Sequence, residues 1–274
     1  MPARSSSAAS GRPRVASLYG WLAVTSARRR DLLWSALFSS MLISIITATL
    51  GLLWIAALPD GESIRGYDAI DMVWYIAIAE AVVNGVDQRL MVRLGDDLRR
   101  GEMTIELLRP VTLVWMVMSR EVGRSIARFV LSLPACCAVA WLIAGPPPSW
   151  VGLATLAITG PLAVLVQMLL VIGATSSALW LGDTTAAWFV LQKLVFLAGG
   201  MLLPLEFWPG IAGDVLTLLP WASTAYVPAH LAVDPSWPRV LELVLLQVAW
   251  IGLLLWGTAA AWSRGERRLM AVGG

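Results

Sequence analysis

Charge is scarce in this chain. Of its 274 residues only 14% are Asp, Glu, Lys or Arg, while 58% come from the set Ala, Val, Ile, Leu, Met, Phe, Trp, Tyr and Cys. A water-facing domain carries about 25% charged residues, so the composition excludes a soluble enzyme, a nucleic-acid-binding module and a disordered tail. With a mean hydropathy of +0.74, the chain reads as an all-α integral membrane protein. Lysine is scarcer still, with Lys193 alone, preceded by Leu191-Gln192 and followed by Leu194. A Walker A loop needs a lysine after its glycines to reach the phosphates, so no ordinary ATP site or other cofactor is expected in this chain. The two cysteines, Cys136 and Cys137, are adjacent in an apolar run, which excludes a disulfide scaffold and a zinc site. His230 is the lone histidine; between Pro228 and Asp234 it reads as a packing or surface residue, and no Ser/His/Asp or paired-carboxylate set accompanies it.

What is abundant is apolar length. The longest charge-free run, Phe129 to Gly182, covers 54 residues, and a crossing helix needs about 20. Six spans are expected: Leu32 to Leu58, Ala69 to Val86, Ile126 to Ala144, Trp150 to Gly182, Thr184 to Leu203 and Leu243 to Trp262. The second is weaker, because Asp71 marks its end and Glu80 lies inside it. Gly145-Pro146-Pro147-Pro148 stops the third, and the fourth is long enough to tilt, protrude or bend near Gly160 and Pro161. Val215 to Val233 is also uncharged, but Pro220, Pro228, His230 and several hydroxyls make it a poor lipid-facing helix.

Orientation follows from the basic residues. Six Arg precede the first span, eight lie between Arg89 and Arg128, and three close the chain, whereas only Arg65 and Arg239 fall in the opposite loops. Seventeen against two is a strong positive-inside bias. Both termini are expected in the cytoplasm, and Leu205 to Arg239 outside, with short apolar helices re-entering the bilayer. Residues 1–31 read as a cytoplasmic leader with no signal-peptide core, 32–262 as the membrane domain and 263–274 as a cytoplasmic tail. Trp150, Trp208, Trp221 and Trp237 are expected in an outer aromatic belt. The bias of Arg over Lys, with abundant Ala, Gly, Pro and Trp, suits a GC-rich bacterial genome, hence a bacterial plasma membrane.

Two cytoplasmic stretches carry order. In Val15 to Asp31, Leu18, Trp21, Leu22 and Thr25 recur at helical spacing beside Arg14, Arg28, Arg29 and Arg30, as in an amphipathic elbow helix on the membrane surface. Between Asn84 and Arg124, charges of both signs interleave. There Gly101 breaks one helical run, Glu102 to Leu108 can form a short helix with Ile105 and Leu108 on one face, and Pro110 stops it. Such an element suits docking to another protein, with Leu107 and Leu108 as apolar contact and Arg109 meeting an acidic partner. Within the spans, Glu80 and Lys193 are the ionisable residues, and such groups are functional candidates. A pairing of Glu80 with Lys193, within the chain or across a dimer, is the simplest reading of both. Gln167, Gln192 and Gln247 read as interhelical hydrogen-bond partners.

The run Arg99-Arg100-Gly101-Glu102-Met103-Thr104-Ile105-Glu106-Leu107-Leu108-Arg109-Pro110-Val111 resembles the segment between the second and third spans of bacterial ABC exporter permeases of the type 2 class. The stretch Gly199-Gly200-Met201-Leu202-Leu203-Pro204-Leu205-Glu206-Phe207-Trp208-Pro209 with Leu219-Pro220-Trp221, and the ending Trp262-Ser263-Arg264-Gly265-Glu266-Arg267-Arg268 before Gly273-Gly274, are similar to that class in the same order. The resemblance implies a six-span half-transporter with an elbow helix, a coupling helix in the first intracellular loop and small helices in the last outer loop. It also implies two copies of a separate ATPase carrying ATP and Mg, and a second permease, identical or paralogous. A proton-coupled carrier and, more remotely, a membrane-embedded enzyme are the alternatives that the residues themselves leave open.

Overall fold

A computed structural model describes residues 12–28, 30–59, 61–87, 89–100, 113–177 and 185–272. All regular elements among them are helical: α1 (Arg12–Ala27), α2 (Arg30–Ala57), α3 (Ala69–Gly85), α4 (Leu90–Arg99), α5 (Leu113–Ala144), α6 (Trp150–Thr175), α7 (Thr185–Leu197), α8 (Ala212–Thr217), α9 (Tyr226–Val233) and α10 (Trp237–Val272), with a 3-10 turn at Leu205–Phe207. Five helical stretches are long and apolar enough to cross a membrane: Leu32–Ala57, Ala69–Asp97, Leu113–Ala144, Trp150–Thr175 and Trp237–Gly265. Among the described residues, which resume at Thr185, apolar α7 has 13 residues, short of the about 20 that a full crossing uses, and it ends at Leu197, before the Leu203 expected from the sequence pattern.

Local chemistry sets the helix starts. Asp68 caps α3 by accepting from Asp71 N–H at 2.8 Å, while Asp71 accepts from Asp68 N–H at 3.1 Å, a reciprocal capping box. Asp71 thus marks the end of the second span, as its position in the sequence suggests. After the Gly145–Pro148 hairpin, Ser149 caps α6 by accepting from Gly152 N–H at 3.0 Å. Pro161 lies inside α6, which stops at Thr175, seven residues before the end expected from hydropathy.

The weakest span by sequence is the most enclosed. In α3 83% of the apolar window is buried, against 22% for α2 and 11% for α10, so α3 is the central helix and α2 and α10 present their sides outward. Glu80 is tolerated because its helix faces protein rather than lipid. Two apolar cores stack along this axis. One gathers Trp74, Tyr75, Ile78, Tyr226 and Leu231 around α3 and α9. The other gathers Val82, Leu90, Met116, Phe129, Met168 and Trp262 around α4, α5, α6 and α10. The two ends of the bundle are hereafter the His230 end and the Glu121 end.

Small residues permit the close crossings. A Cβ on Gly123 would lie 1.9 Å from the Ala23 carbonyl oxygen, and one on Gly152 would lie 2.3 Å from that of Ala232. Backbone therefore meets backbone where α1 crosses α5 and where α9 crosses α6. Ser26 adds a hydrogen bond to Arg120 O at 2.8 Å. Leu18, Trp21 and Val24 on α1 remain exposed. Trp262 fastens the far part of α10 by donating to Ile172 O at 3.0 Å.

Candidate functional site

At the Glu121 end, α5 begins at Leu113, 13 residues before the expected third span. Hydropathy had placed the boundary at Ile126 because Arg120, Glu121 and Arg124 interrupt the apolar run. Those charges are satisfied within the protein, and Leu113, Val114, Met116, Val117 and Met118 are buried, so the helix continues through them. Glu121 Oε1 meets Arg124 Nη1 at 2.5 Å and Arg93 Nη2 at 3.5 Å, with the Glu121 side chain only 4% exposed. Arg93 Nη1 also meets Asp87 Oδ2 at 2.6 Å. Arg128 donates to Ser35 Oγ at 2.9 Å. A polar cavity of about 380 Å³ is bounded by these residues. The network ties the foot of α5 to α4 and to the start of α2. Residues 101–112 connect α4 to α5, and buried Glu121 ties the chain on one side of them to the chain on the other. Gly101, Glu102, Ile105, Leu107, Leu108, Arg109 and Pro110 lie outside the described residues.

At the His230 end, aromatic rings and one carboxylate close the bundle. Tyr67 Oη and His230 Nδ1 are hydrogen-bonded at 2.7 Å. Glu206 Oε1 stands 3.4 Å from the same nitrogen and accepts from the Tyr226 hydroxyl. The His230 ring stacks on Tyr226 at 5.0 Å, while Tyr67 meets Tyr75 and Phe207 edge to face at 6.1 and 5.9 Å. The Tyr75 hydroxyl donates to Gly200 O, and the Arg65 guanidinium to Glu206 O. Gly200 adopts φ +68, a left-handed turn suited to glycine, which lets the chain leaving α7 fold under α9. Burial pushes His230 below the usual imidazole range, against the opposing pull of Glu206. Burial first, then Glu206, holds the Tyr67 and Tyr226 hydroxyls far above the phenol range, so both stay neutral donors. A cavity of about 430 Å³ opens beside the cluster, between Arg65, Asp71, Glu206, His230 and Asp234.

The packing role expected for His230 matches this geometry, whereas Tyr67 and Glu206 carry no signal in the sequence that marks them as its partners. Of the four belt tryptophans, Trp150, Trp208 and Trp237 are exposed, and Trp221 packs against the core.

Between the two ends, Glu80 is fully buried, and its Oε2 accepts from Thr47 Oγ1 at 2.5 Å, joining α3 to α2. Lys193 instead lies over the rings of Phe189 and Phe196, at 5.1 and 5.9 Å from their centroids. The structure does not bring Glu80 and Lys193 together. Two of the glutamines do bridge helices: Gln247 Nε2 donates to Thr159 O at 3.2 Å and Ser223 O at 3.0 Å, and Gln167 Nε2 donates to Val83 O at 3.2 Å. Among the described residues no group of His, Cys, Asp or Glu has the arrangement to hold a metal ion.

The arrangement comprises a closed aromatic end, an ion-paired foot and polar ties between helices. Residues 44–273 match the sequence model of a family described as ABC-2 family transporter protein. No curated protein and no solved structure matches the chain.

Proposed function

The chain belongs to the ABC-2 family of transporter proteins, a membrane transport subunit on that account, and from this membership we propose that it is the permease half of an ATP-driven exporter whose motor is a separate ATPase. The family match across residues 44–273 carries the reading. Export rests on the likeness of the Arg99–Val111 and Gly199–Pro209 runs to type 2 exporter permeases. A borrowed motor rests on Lys193, the one lysine, lying in an apolar helix where no phosphate-binding loop surrounds it. Two ATPase copies and a second permease complete the pathway, in the plasma membrane of a bacterium.

In this reading the Glu121 end is cytoplasmic and the His230 end faces outside, as the basic residues favour. Helix α7 then makes the sixth crossing together with residues 198–204. Supporting this, α7 follows the Glu121 end of α6 in the chain and delivers Gly199 to the His230 end, where its carbonyl accepts from Tyr226 N–H at 2.9 Å. The exposed Leu18, Trp21 and Val24 favour seating α1 among headgroups, and exposed Ile211, Val215 and Leu218 favour dipping α8 into the outer leaflet.

Glu102 to Pro110 seats in a groove of the ATPase, with Leu107 and Leu108 as apolar contact, Arg109 as the charged one, and Gly101 and Pro110 as its limits. ATPase closure moves this segment, and the Arg93–Glu121–Arg124 network passes the motion to α4 and α5. Leu108→Glu tests the assignment: the ATPase is expected to be lost on affinity purification, and transport with it. Intact co-purification and transport would remove this segment from the interface.

A further inference from the structure

The cavity at the Glu121 end holds more positive charge than negative. Three guanidinium groups line it, from Arg93, Arg124 and Arg128, against two carboxylates, Asp87 and Glu121. Both carboxylates are already engaged: Arg93 takes Asp87 and shares Glu121 with Arg124. Arg128 donates instead to the neutral Ser35 Oγ, so one positive charge has no carboxylate of its own among the described residues. The guanidinium groups stay within reach of a guest, since the Arg93 and Arg124 side chains are 41% and 26% exposed and Arg128 is not buried. Ser125 adds a hydroxyl to the wall.

Depth decides which anion can meet that charge. Helix α5 carries no charged residue from Phe129 to Ala144 and α2 none from Leu32 to Ala57, and the Arg128–Ser35 bond joins the two helices where these runs begin. Helix α1, with Leu18 and Trp21 exposed, crosses α5 at Gly123, next to Arg124 in the chain. The cavity therefore lies at the level of the headgroups, between hydrocarbon and open water. Phosphates are the abundant anions there, and a guanidinium fork matches two phosphate oxygens at once. Exposed Phe38 and Leu42 lie one and two turns beyond Ser35 on α2, an apolar flank for acyl chains. We propose that this cavity binds the phosphate of an anionic phospholipid, held by Arg124 and Arg128, with its acyl chains against Phe38 and Leu42. The site rests on the chain lying in a bilayer and not on the permease reading.

Native mass spectrometry of the full chain in nonionic micelles, without ATP or partner subunits, tests it. The probes are phosphatidylglycerol, whose phosphate leaves a net negative charge, and phosphatidylcholine with the same acyl chains, whose choline cancels it. A charge-assisted hydrogen bond is worth about tenfold in affinity, so phosphatidylglycerol is expected to bind about tenfold more tightly. Arg128→Gln is expected to remove that preference. So is Ser35→Asp, which gives Arg128 a carboxylate from an exposed position and decides the matter if the Arg128 variant fails to fold. Inorganic phosphate at the same concentration is expected to leave the lipid bound. Equal affinities for the two lipids in the wild type, or a preference surviving in either folded variant, would overturn the proposal. So would displacement by equal inorganic phosphate, which would make this a site for a soluble anion. A complex that performs no ATP-driven transport would leave these affinities unchanged, so failure of the permease reading is distinguishable.

Discussion

Burial sets the chemistry of His230. Removing the imidazole from water disfavours its charged form, and this outweighs the attraction of Glu206 and the smaller one of Asp234, while Arg239 acts in the same direction as burial. The folded state therefore releases the His230 proton at a lower pH than the unfolded chain, whose imidazole titrates near 6.5. Where pH falls below that value, the unfolded state binds more protons and the fold loses stability. The Tm of the purified chain is expected to drop between about pH 7.5 and about pH 5.5, and by less in His230→Gln, which cannot gain the charge. An equal drop in the variant would show that the acid sensitivity does not come from His230. At this scale the sequence was readable where one residue sufficed and unreadable where partners had to meet. A lone His between Pro228 and Asp234 suggested packing, but Tyr67 lies 163 positions away. Within the chain, Glu80 and Lys193 do not pair, for the same reason. Opposite charge implies attraction, but it says nothing about which faces of α3 and α7 confront each other, and Thr47 was the nearer partner.

Buried Glu121 joins helices α4 and α5 through Arg93 and Arg124, and that makes it the natural place to separate assembly from coupling. Glu121→Gln removes the charge that Arg93 and Arg124 share. Both arginines stay partly exposed, at 41% and 26%, so water takes over much of their solvation and the loss of stability is expected to be modest, about 1–2 kcal/mol. The ATPase should still co-purify with this variant and hydrolyse ATP. Transport per ATP is expected to fall several-fold, because the foot of α5 no longer follows α4; unchanged transport in reconstituted vesicles would free the network of that role. Helix boundaries explain what patterning can detect. The starts at Ala69 and Trp150 were legible because the apolar runs begin there, and the structure adds the local caps Asp68 and Ser149. The start of α5 was not, since hydropathy counts Arg120, Glu121 and Arg124 as breaks, while their mutual neutralisation depends on a neighbouring helix.

Across the whole molecule, parity decides the topology. Five long helices would leave the termini on opposite faces, and the basic ending Arg264, Arg267 and Arg268 would then face outward against the charge bias. With α7 as a sixth crossing, protease-cleavable tags at either terminus are expected to be cut only in inside-out vesicles. Cleavage of the C-terminal tag on intact cells would reduce the count to five. The number of crossings was harder to read than the family, because α7 stops after 13 residues in a glycine corner whose folding depends on Tyr75 and Tyr226. The long helices carry a further consequence. With α1 among the headgroups and crossing α5 at Arg120 and Gly123, Leu113 to Arg120 forms a leg about 12 Å long beyond them. On α10, the ten residues after Trp262 form a second leg of about 15 Å. In the permease reading proposed above, an ATPase resting on these legs meets the permease below the headgroups, beyond a screening length of about 8 Å. In that reading the charged part of the joint, Arg109 against its acidic partner, is therefore screened by dissolved salt, and the lipid headgroups above have little hold on it.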